Sequence, residues 1–455
     1  MYIQNKSTGF YYAGMLRGQP RWVLLIADAL DVNNTQVDGL IANLRKKGIE
    51  CGYSNLVKPV GYNDHPAPYV VYGTGVVPID QSAIQQLVEV LRILPARRGA
   101  QMPDAQKGYT ISIGGVVALS NAVMPMGVGV DIGCRMMLSI LGMSVAEFYA
   151  KREAIWETLK SKSGLGLASH ADDEVHSIMT YQAWKDIPIL NRSYANAQSQ
   201  LGTLGRGNHF AVIGIMEMNG KNQVILLTHG GSRNTGKVVA EFYARLAEED
   251  THAQYSKVPR GLGWLDLATQ HGQEYWTAMN LLAEYAEANH ALTHDRIIKA
   301  LGISRIGERY TNAHNIAVQE NGLVVMRKGA TKLVDGKYAL IPGSSGTKSY
   351  LVRGKGDPNN PGDNLNSGPH GAGRVQSTSN SKKEFEEVHA ASYDEDMRAR
   401  DIWTHGVDAG ETWHAYKDVD SVIQVMADAG ALDVEGVITP KLVVMGGADR
   451  ADDAN

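Results

Sequence analysis

The chain has 455 residues, 20% of them charged and 44% hydrophobic, which excludes disordered, collagenous and coiled-coil polypeptides and allows one large domain or two to three smaller ones. A net charge of −4 speaks against a protein that coats nucleic acid non-specifically, so any nucleic-acid contact has to be a local patch. Two cysteines, Cys51 and Cys134, exclude a disulfide framework and point to a reducing, cytoplasmic setting. No apolar run approaches the roughly 20 residues that span a bilayer, and the first residues lack the basic and apolar regions of a signal peptide, so no membrane partner is expected. Glycine stands out at 49 residues, about 11% against a usual 7%. The glycines cluster in polar loops, where the backbone can approach a ligand closely.

In chain order, residues 21–50 read as a strand (WVLLIADAL) followed by a helix with basic residues before Gly48. Residues 83–94 read as a helix ended by Pro95, with Ile84, Leu87, Val88 and Leu91 on one face. HFAVIGIM and NQVILLTH flank Asn219-Gly220 and predict a β-hairpin. Helices follow over 236–249 and 273–300, and a last one over 418–429 between an Asp cap and Gly430. Short strands are expected in GLVVMRKG, KYALIPG, SYLVRGKG and PKLVVMGG, and ADRADDAN reads as a frayed tail. Helices and strands mix without a strict βαβ rhythm, so the fold class is α/β in the mixed α+β sense, with long Gly-rich loops.

Five clusters carry chemistry. Asp131-Ile-Gly-Cys134 can turn a carboxylate and a thiol onto one cation; the plain alternative is a buried small Cys. Asn208-His209 and Thr228-His229 sit at the two ends of the hairpin. A three-residue loop at 218–220 sets His209 opposite His229 with Cα atoms roughly 4.5–5.5 Å apart, whereas a two-residue loop shifts the register by one. His314, in Asn312-Ala-His314-Asn315, would complete one carboxylate, one thiolate and three imidazoles. That set suits Mn, Fe, Co or Zn, and a thiolate bridging two ions suits phosphoryl chemistry. Segment 327–383 reads as a basic loop with ten bases against three acids. It contains Pro342-Gly343-Ser344-Ser345-Gly346-Thr347 and Pro369-His370-Gly371-Ala372-Gly373-Arg374, whose Gly-flanked N–H groups suit anions. His370, between Pro and Gly-Ala-Gly, has a ring able to attack phosphorus; a solvated basic loop is the alternative. Together these clusters favour metal-assisted phosphoryl or nucleotidyl transfer.

The ordered stretches MPDAQKGYTISIGGV, VGVDIGCRM, LGTLGRGNHF, THGGSRNTG, HNIAVQENG with RKGA, IPGSSGTKSYLVRGKG, GPHGAGR and AYKDVD resemble the RtcB family of RNA ligases. They cover residues 102 to about 445, and the N-terminal hundred match only loosely. The resemblance implies a single large domain with a metal site in a central cleft, a catalytic core over 101–455 and a divergent N-terminal part over 1–100. It implies two Mn²⁺ ions on Asp131, Cys134, His209, His229 and His314, and His370 as the residue that takes GMP from GTP. It places Asn208, Asn315, Pro342, Gly343, Ser344, Ser345, Ser349, Gly371, Ala372, Gly373 and Tyr416 on the nucleotide, and Arg233 and Arg374 on phosphate. The implied reaction joins 2′,3′-cyclic phosphate or 3′-phosphate RNA ends to 5′-hydroxyl ends, as in repair of broken tRNA, with an activating accessory protein as a further partner. Val212 and Met445 replace an acid and a Lys of the family pattern that read guanine, so nucleotide selectivity is expected to be altered. Arg135, Gly230 and Gln106 depart from a usual Gly, Ser and His. The alternatives are a metal-dependent RNA end-processing phosphodiesterase or nucleotidyltransferase, and an RNA-binding protein without catalysis, which would need no His370.

Overall fold

The Asn219-Gly220 pair adopts positive φ at both positions, 51° and 69°, the twist that closes a two-residue hairpin turn. The strands it joins, Phe210–Met218 and Lys221–Gly230, form the middle of an eight-stranded sheet. A computed structural model describes residues 3–8, 11–16, 19–23, 34–53, 58–166 and 176–447. From one edge the sheet runs Ile306–Ala313, Arg135–Leu141, Lys221–Gly230, Phe210–Met218, Leu432–Met445, Ser349–Gly354 and Tyr338–Ile341, all antiparallel. Trp403–His405 adds to Leu432–Met445 in parallel.

Two-stranded turn closure fixes the register. Phe210 pairs with His229 and Ala211 with Thr228, so the three-residue loop expected at 218–220 is corrected to two residues and the pairing shifts by one. His209 therefore does not face His229 across the ladder. Phe210 does, because the Asn-Gly turn consumes only Asn219 and Gly220.

A second sheet runs Asn315–Glu320, Leu323–Lys328, Ile113–Leu119, Ala96–Gln106 and Tyr69–Val71. The chain passes from the edge strand Ile306–Ala313 of the first sheet straight into the edge strand Asn315–Glu320 of the second at His314. The helix Gln270–Ala300 buries 16 residues, among them Tyr275, Leu282 and Tyr285, and packs on the strands Arg135–Leu141, which Cys134 precedes, and Lys221–Gly230, which carries His229. Among the further helices, Gln81–Val90, Arg233–Gln254 and Val419–Asp428 each lie within a few residues of their sequence reading. Asp80 and Asp418 cap the first and last by accepting from Ser82 N and Ser421 N. The fold is one domain, as the resemblance implies, of the mixed α/β class that the element pattern predicts.

Near the N-terminus, Gln19–Val23, Tyr11–Leu16, Ile3–Asn5 and Cys51–Tyr53 form a small sheet. Helix Asn34–Lys46 closes it around Ile3, Tyr12, Val37, Ile41, Leu44 and Cys51. Most of the WVLLIADAL strand and the whole ADRADDAN tail lie outside the described residues.

Segment 327–383 is not a solvated loop. It contains the strands Ala330–Lys332, Tyr338–Ile341, Ser349–Gly354 and Ser367–Pro369. Its bases are met by acids, several from distant chain: Arg327 and Lys332 by Glu320, Lys348 by Asp420, Lys355 by Asp433, Arg374 by Glu411 and Lys382 by Asp408. The local excess of positive charge is largely neutralised in the fold.

Candidate active site

Two rows of side chains on one face of the large sheet lay down the site. Met445, Phe210, His229 and Met136 line up across four strands, and Val443, Val212, Leu227 and Leu138 form the next row. Side chains two apart on a strand share a face, so the strand that puts Leu227 under the cavity also delivers His229 to its end. Thr228 points to the opposite face, where its hydroxyl bonds His290 Nδ1 at 2.6 Å and His294 Nε2 at 2.8 Å. Both rings belong to the long helix and are buried.

Cys134 and His314 extend the antiparallel ladder in which Arg135 pairs with Ala313. His314 N donates to Cys134 O at 2.9 Å. The register therefore places thiol and imidazole side by side at the sheet end that carries His229. His209 precedes its strand and leaves the pleat; its N–H turns back to Arg206 O at 3.4 Å, and this brings its ring to the same point despite the shifted register. Cys134 Sγ lies 3.1 Å from His229 Nε2 and 3.7 Å from His209 Nε2. His229 Nε2 lies 3.3 Å from His314 Nε2, and His209 Nε2 lies 3.0 Å from Asp131 Oδ2. Asp131 Oδ1 accepts from Ser232 N at 3.0 Å. Its carboxylate fits only because residue 231 is glycine: a Cβ there would stand 2.0 Å from Oδ1.

The donor set fits a divalent cation on its own hydrogen bonding. His209 Nδ1 donates to Leu204 O at 2.7 Å and His229 Nδ1 to Asn208 O at 3.2 Å. Each ring then presents its Nε2 lone pair inward, toward a carboxylate, a thiol or another imidazole. Acceptors facing acceptors are resolved by a cation, and backbone carbonyls behind the rings fix the required tautomer. Burial, reinforced by the neighbouring rings, pulls His229 and His314 well below the usual imidazole range and so keeps them unprotonated. Burial, with Asp131 next to it, pushes the Cys134 thiol up; a bound cation reverses that by displacing the thiol proton.

Beside this cluster lies a cavity of about 290 Å³, near the lower end of small-ligand sites. Asn208, Pro342, Gly343, Ser344, Ser345, Ser349, His370, Gly371, Ala372, Gly373, Arg374 and Tyr416 all line it, as do Phe210, Val212, Leu227, Val443 and Met445. Loops 342–349 and 370–374 are zipped together by Ala372 N donating to Pro342 O at 3.0 Å. His370 joins the cavity to the cation cluster, its ring centroid 5.1 Å from that of His314.

Three expected site residues sit differently. Asn315 is buried behind the cluster, bonding Asp131 O at 3.2 Å and Gly329 N at 2.9 Å, and does not line the cavity. Arg233 lies outside the cavity lining and donates to Thr203 Oγ1 at 3.0 Å. Arg374 lines the cavity, but its guanidinium is held by Glu411 Oε1 at 2.9 Å and Gly410 O at 2.5 Å.

Sequence reasoning missed Asp104, Lys328 and Glu411. Asp104 Oδ2 accepts from His370 Nδ1 at 2.6 Å and from His370 N at 2.9 Å. Asp104 lies within the motif MPDAQKGYT, but its partner is 266 residues away. Lys328 is buried, and a Cβ on Gly129 would stand 1.9 Å from its Nζ. Glu411 accepts from Arg374 and from the Tyr416 hydroxyl.

The family model described as tRNA-splicing ligase RtcB matches residues 86–187 and 181–446. The RNA-splicing ligase RtcB of Escherichia coli strain K12 is 27% identical over 417 residues, covering 83% of this chain and 97% of the relative. The tRNA-splicing ligase RtcB of Methanococcus maripaludis is 30% identical over 421 residues, covering 76% and 87%. That of Thermococcus kodakarensis is 28% identical over 427 residues, covering 76% and 87%. With a match that spans the large sheet, all of the second sheet except Tyr69–Val71, the Cys/His/Asp cluster and the His370 loop, the chain belongs to the RtcB family.

Proposed function

We propose that this chain is a nucleotide-dependent RNA ligase that joins 2′,3′-cyclic phosphate or 3′-phosphate ends to 5′-hydroxyl ends through a covalent nucleotide on His370. One observation carries the reading: His370, its Nδ1 committed to buried Asp104, stands between a cavity of about 290 Å³ and a convergent Cys/His/Asp cluster. A binding module has no need of that arrangement.

With Nδ1–H on Asp104, the Nε2 lone pair of His370 is the nucleophile. Attack on the α-phosphorus of a nucleoside triphosphate forms an N–P bond and breaks the bond to the β-phosphate oxygen, releasing pyrophosphate. Asp104 stabilises the positive ring that results, as a carboxylate does for an imidazolium in acyl transfer. An oxygen of the RNA 3′-phosphate then attacks the same phosphorus, breaking N–P and leaving a nucleotide-capped 3′ end. A 5′-hydroxyl attacks the 3′-phosphorus, loses its proton and expels the nucleoside monophosphate. A cyclic phosphate is first opened by water.

Asp131, Cys134, His209, His229 and His314 would hold the cations, two Mn²⁺ in our reading, although the mixed N/O/S set also accepts Fe, Co or Zn. When bound, the cations polarise phosphoryl oxygens as Lewis acids. A ligand thiol has to stay reduced, in keeping with a cytoplasmic setting; both cysteines are free.

GTP is the expected cosubstrate, but the cavity floor favours a second reading of the nucleotide. Phe210, Val212, Leu227, Val443 and Met445 offer a base only apolar surface, and wall residue Glu411 is already bonded to Arg374 and Tyr416. Such a floor supports a ligase or nucleotidyltransferase with relaxed base choice.

Incubating the protein with Mn²⁺ and each of four α-³²P-labelled nucleoside triphosphates tests the reading. An acid-labile, alkali-stable adduct that disappears in His370→Ala is expected. Absence of adduct with all four overturns it.

A further inference from the structure

We propose that Lys417 is a positioning residue for nucleotide transfer: it clasps the backbone on both sides of Asp104 and thereby holds the carboxylate that orients the His370 ring. The proposal rests on the reading of His370 as the nucleotide-accepting residue.

The strand Ala96–Gln106 leaves its ladder near Asp104. Pairing with Ile113–Leu119 breaks between Gln101 and Gln106, so the intervening backbone lacks its regular neighbour on that side. Buried polar carbonyls need donors. Lys417 Nζ supplies them, donating to Pro103 O at 3.0 Å and Ala105 O at 2.7 Å, the two residues that flank Asp104. The same residue grips the other partner as well: Lys417 N donates to Gly373 O at 2.9 Å, three residues beyond His370. Gly373 in turn lies against the Asp104 backbone so closely that a Cβ on it would be 2.1 Å from Asp104 O. One lysine thus ties the Asp104 strand to the His370 loop through its side chain and its backbone.

Lys417 is 5% exposed, and an ammonium is costly to bury. Burial pulls it down to about 8, against the opposing pull of Asp104 and Asp80, the charged groups that face it. A neutral donor would satisfy two carbonyls at less cost. The cation adds an attraction to Asp104, whose carboxylate accepts from His370 Nδ1.

The test is single-turnover formation of the His370 adduct in Mn²⁺-loaded full-length protein. In Lys417→Met the maximal rate should fall at least tenfold, with the nucleotide concentration for half-maximal rate within threefold of wild type and metal content unchanged. In Lys417→Gln, which restores an N–H donor group without the charge, the rate should lie between the two. A folded, metal-loaded Lys417→Met with a maximal rate within twofold of wild type overturns the proposal. Should Lys417→Met fail to fold, Lys417→Gln is read by the same criterion. ¹⁵N NMR of the His370 ring provides a readout that needs no turnover: the Nδ1–H tautomer should dominate in wild type and lose population in the variants. An unchanged tautomer ratio overturns the positioning role even if adduct formation fails in every protein, a result that would separately defeat the ligase reading.

Discussion

The rings of His314 and His370 lie 5.1 Å apart and inclined by 50°, so the proposed cation ligand and the proposed nucleophile share one wall. The two roles are nevertheless separable. Cys134→Ala should abolish tight metal binding and every downstream step, because the thiol is the atom on which His209 and His229 converge. His370→Ala should keep full metal content and lose only the adduct. Elemental analysis of both proteins checks this; full occupancy in Cys134→Ala would refute the ligand assignment.

Gly231→Ala should weaken metal binding by about 10–100-fold, the usual cost of disturbing a group that orients a ligand. The new Cβ would sit 2.0 Å from Asp131 Oδ1 and push the carboxylate off Ser232 N. Isothermal titration with Mn²⁺ measures the loss, and an unchanged affinity would mean that Asp131 does not bind the ion.

Base discrimination should be shallow. An apolar pocket separates similar ligands by about 10–200-fold, whereas a hydrogen-bonding one reaches about 10⁴–10⁵. Adduct formation from GTP and ATP should therefore differ by less than about 200-fold in kcat/KM. A preference for GTP of 10⁴ would show that groups other than Val212 and Met445 read the base.

Stability should carry the signature of Lys417. Its folded value of about 8 lies below the ordinary lysine value. Below pH 8 both folded and unfolded chains hold the proton and the burial cost is fully present. As pH rises from 8 toward the unfolded value, the folded state releases the proton first, so this group makes the protein more stable with pH, by at most about 1.4 kcal/mol per unit. Urea denaturation of wild type and Lys417→Met between pH 7.5 and 10 should show wild type gaining on the variant. Parallel curves would place the lysine titration elsewhere.

Much of the site was legible because its residues fall in short motifs whose chemistry is local. The five residues proposed as cation ligands and the Gly-flanked His370 loop come together in space. The hairpin register was misread by one because a turn of two or three residues looks alike until φ at Asn219 and Gly220 is known. His209 reached the cluster anyway, through a bend outside the strand. Asp104 stayed hidden because an isolated acid in a strand says nothing about a histidine 266 residues on. The basic segment misled for the same reason: Glu320, Asp408, Glu411, Asp420 and Asp433, which neutralise it, lie outside its bounds.

The strand Lys221–Gly230 sets Leu227 beneath the cavity and His229 on the cation cluster, two residues apart along one extended backbone and pinned from behind by His290 and His294. On the proposed reading, nucleotide and ion would therefore be mounted on one strand, and the give needed to admit triphosphate and release products would come from the opposite wall, where the 342–349 and 370–374 loops meet.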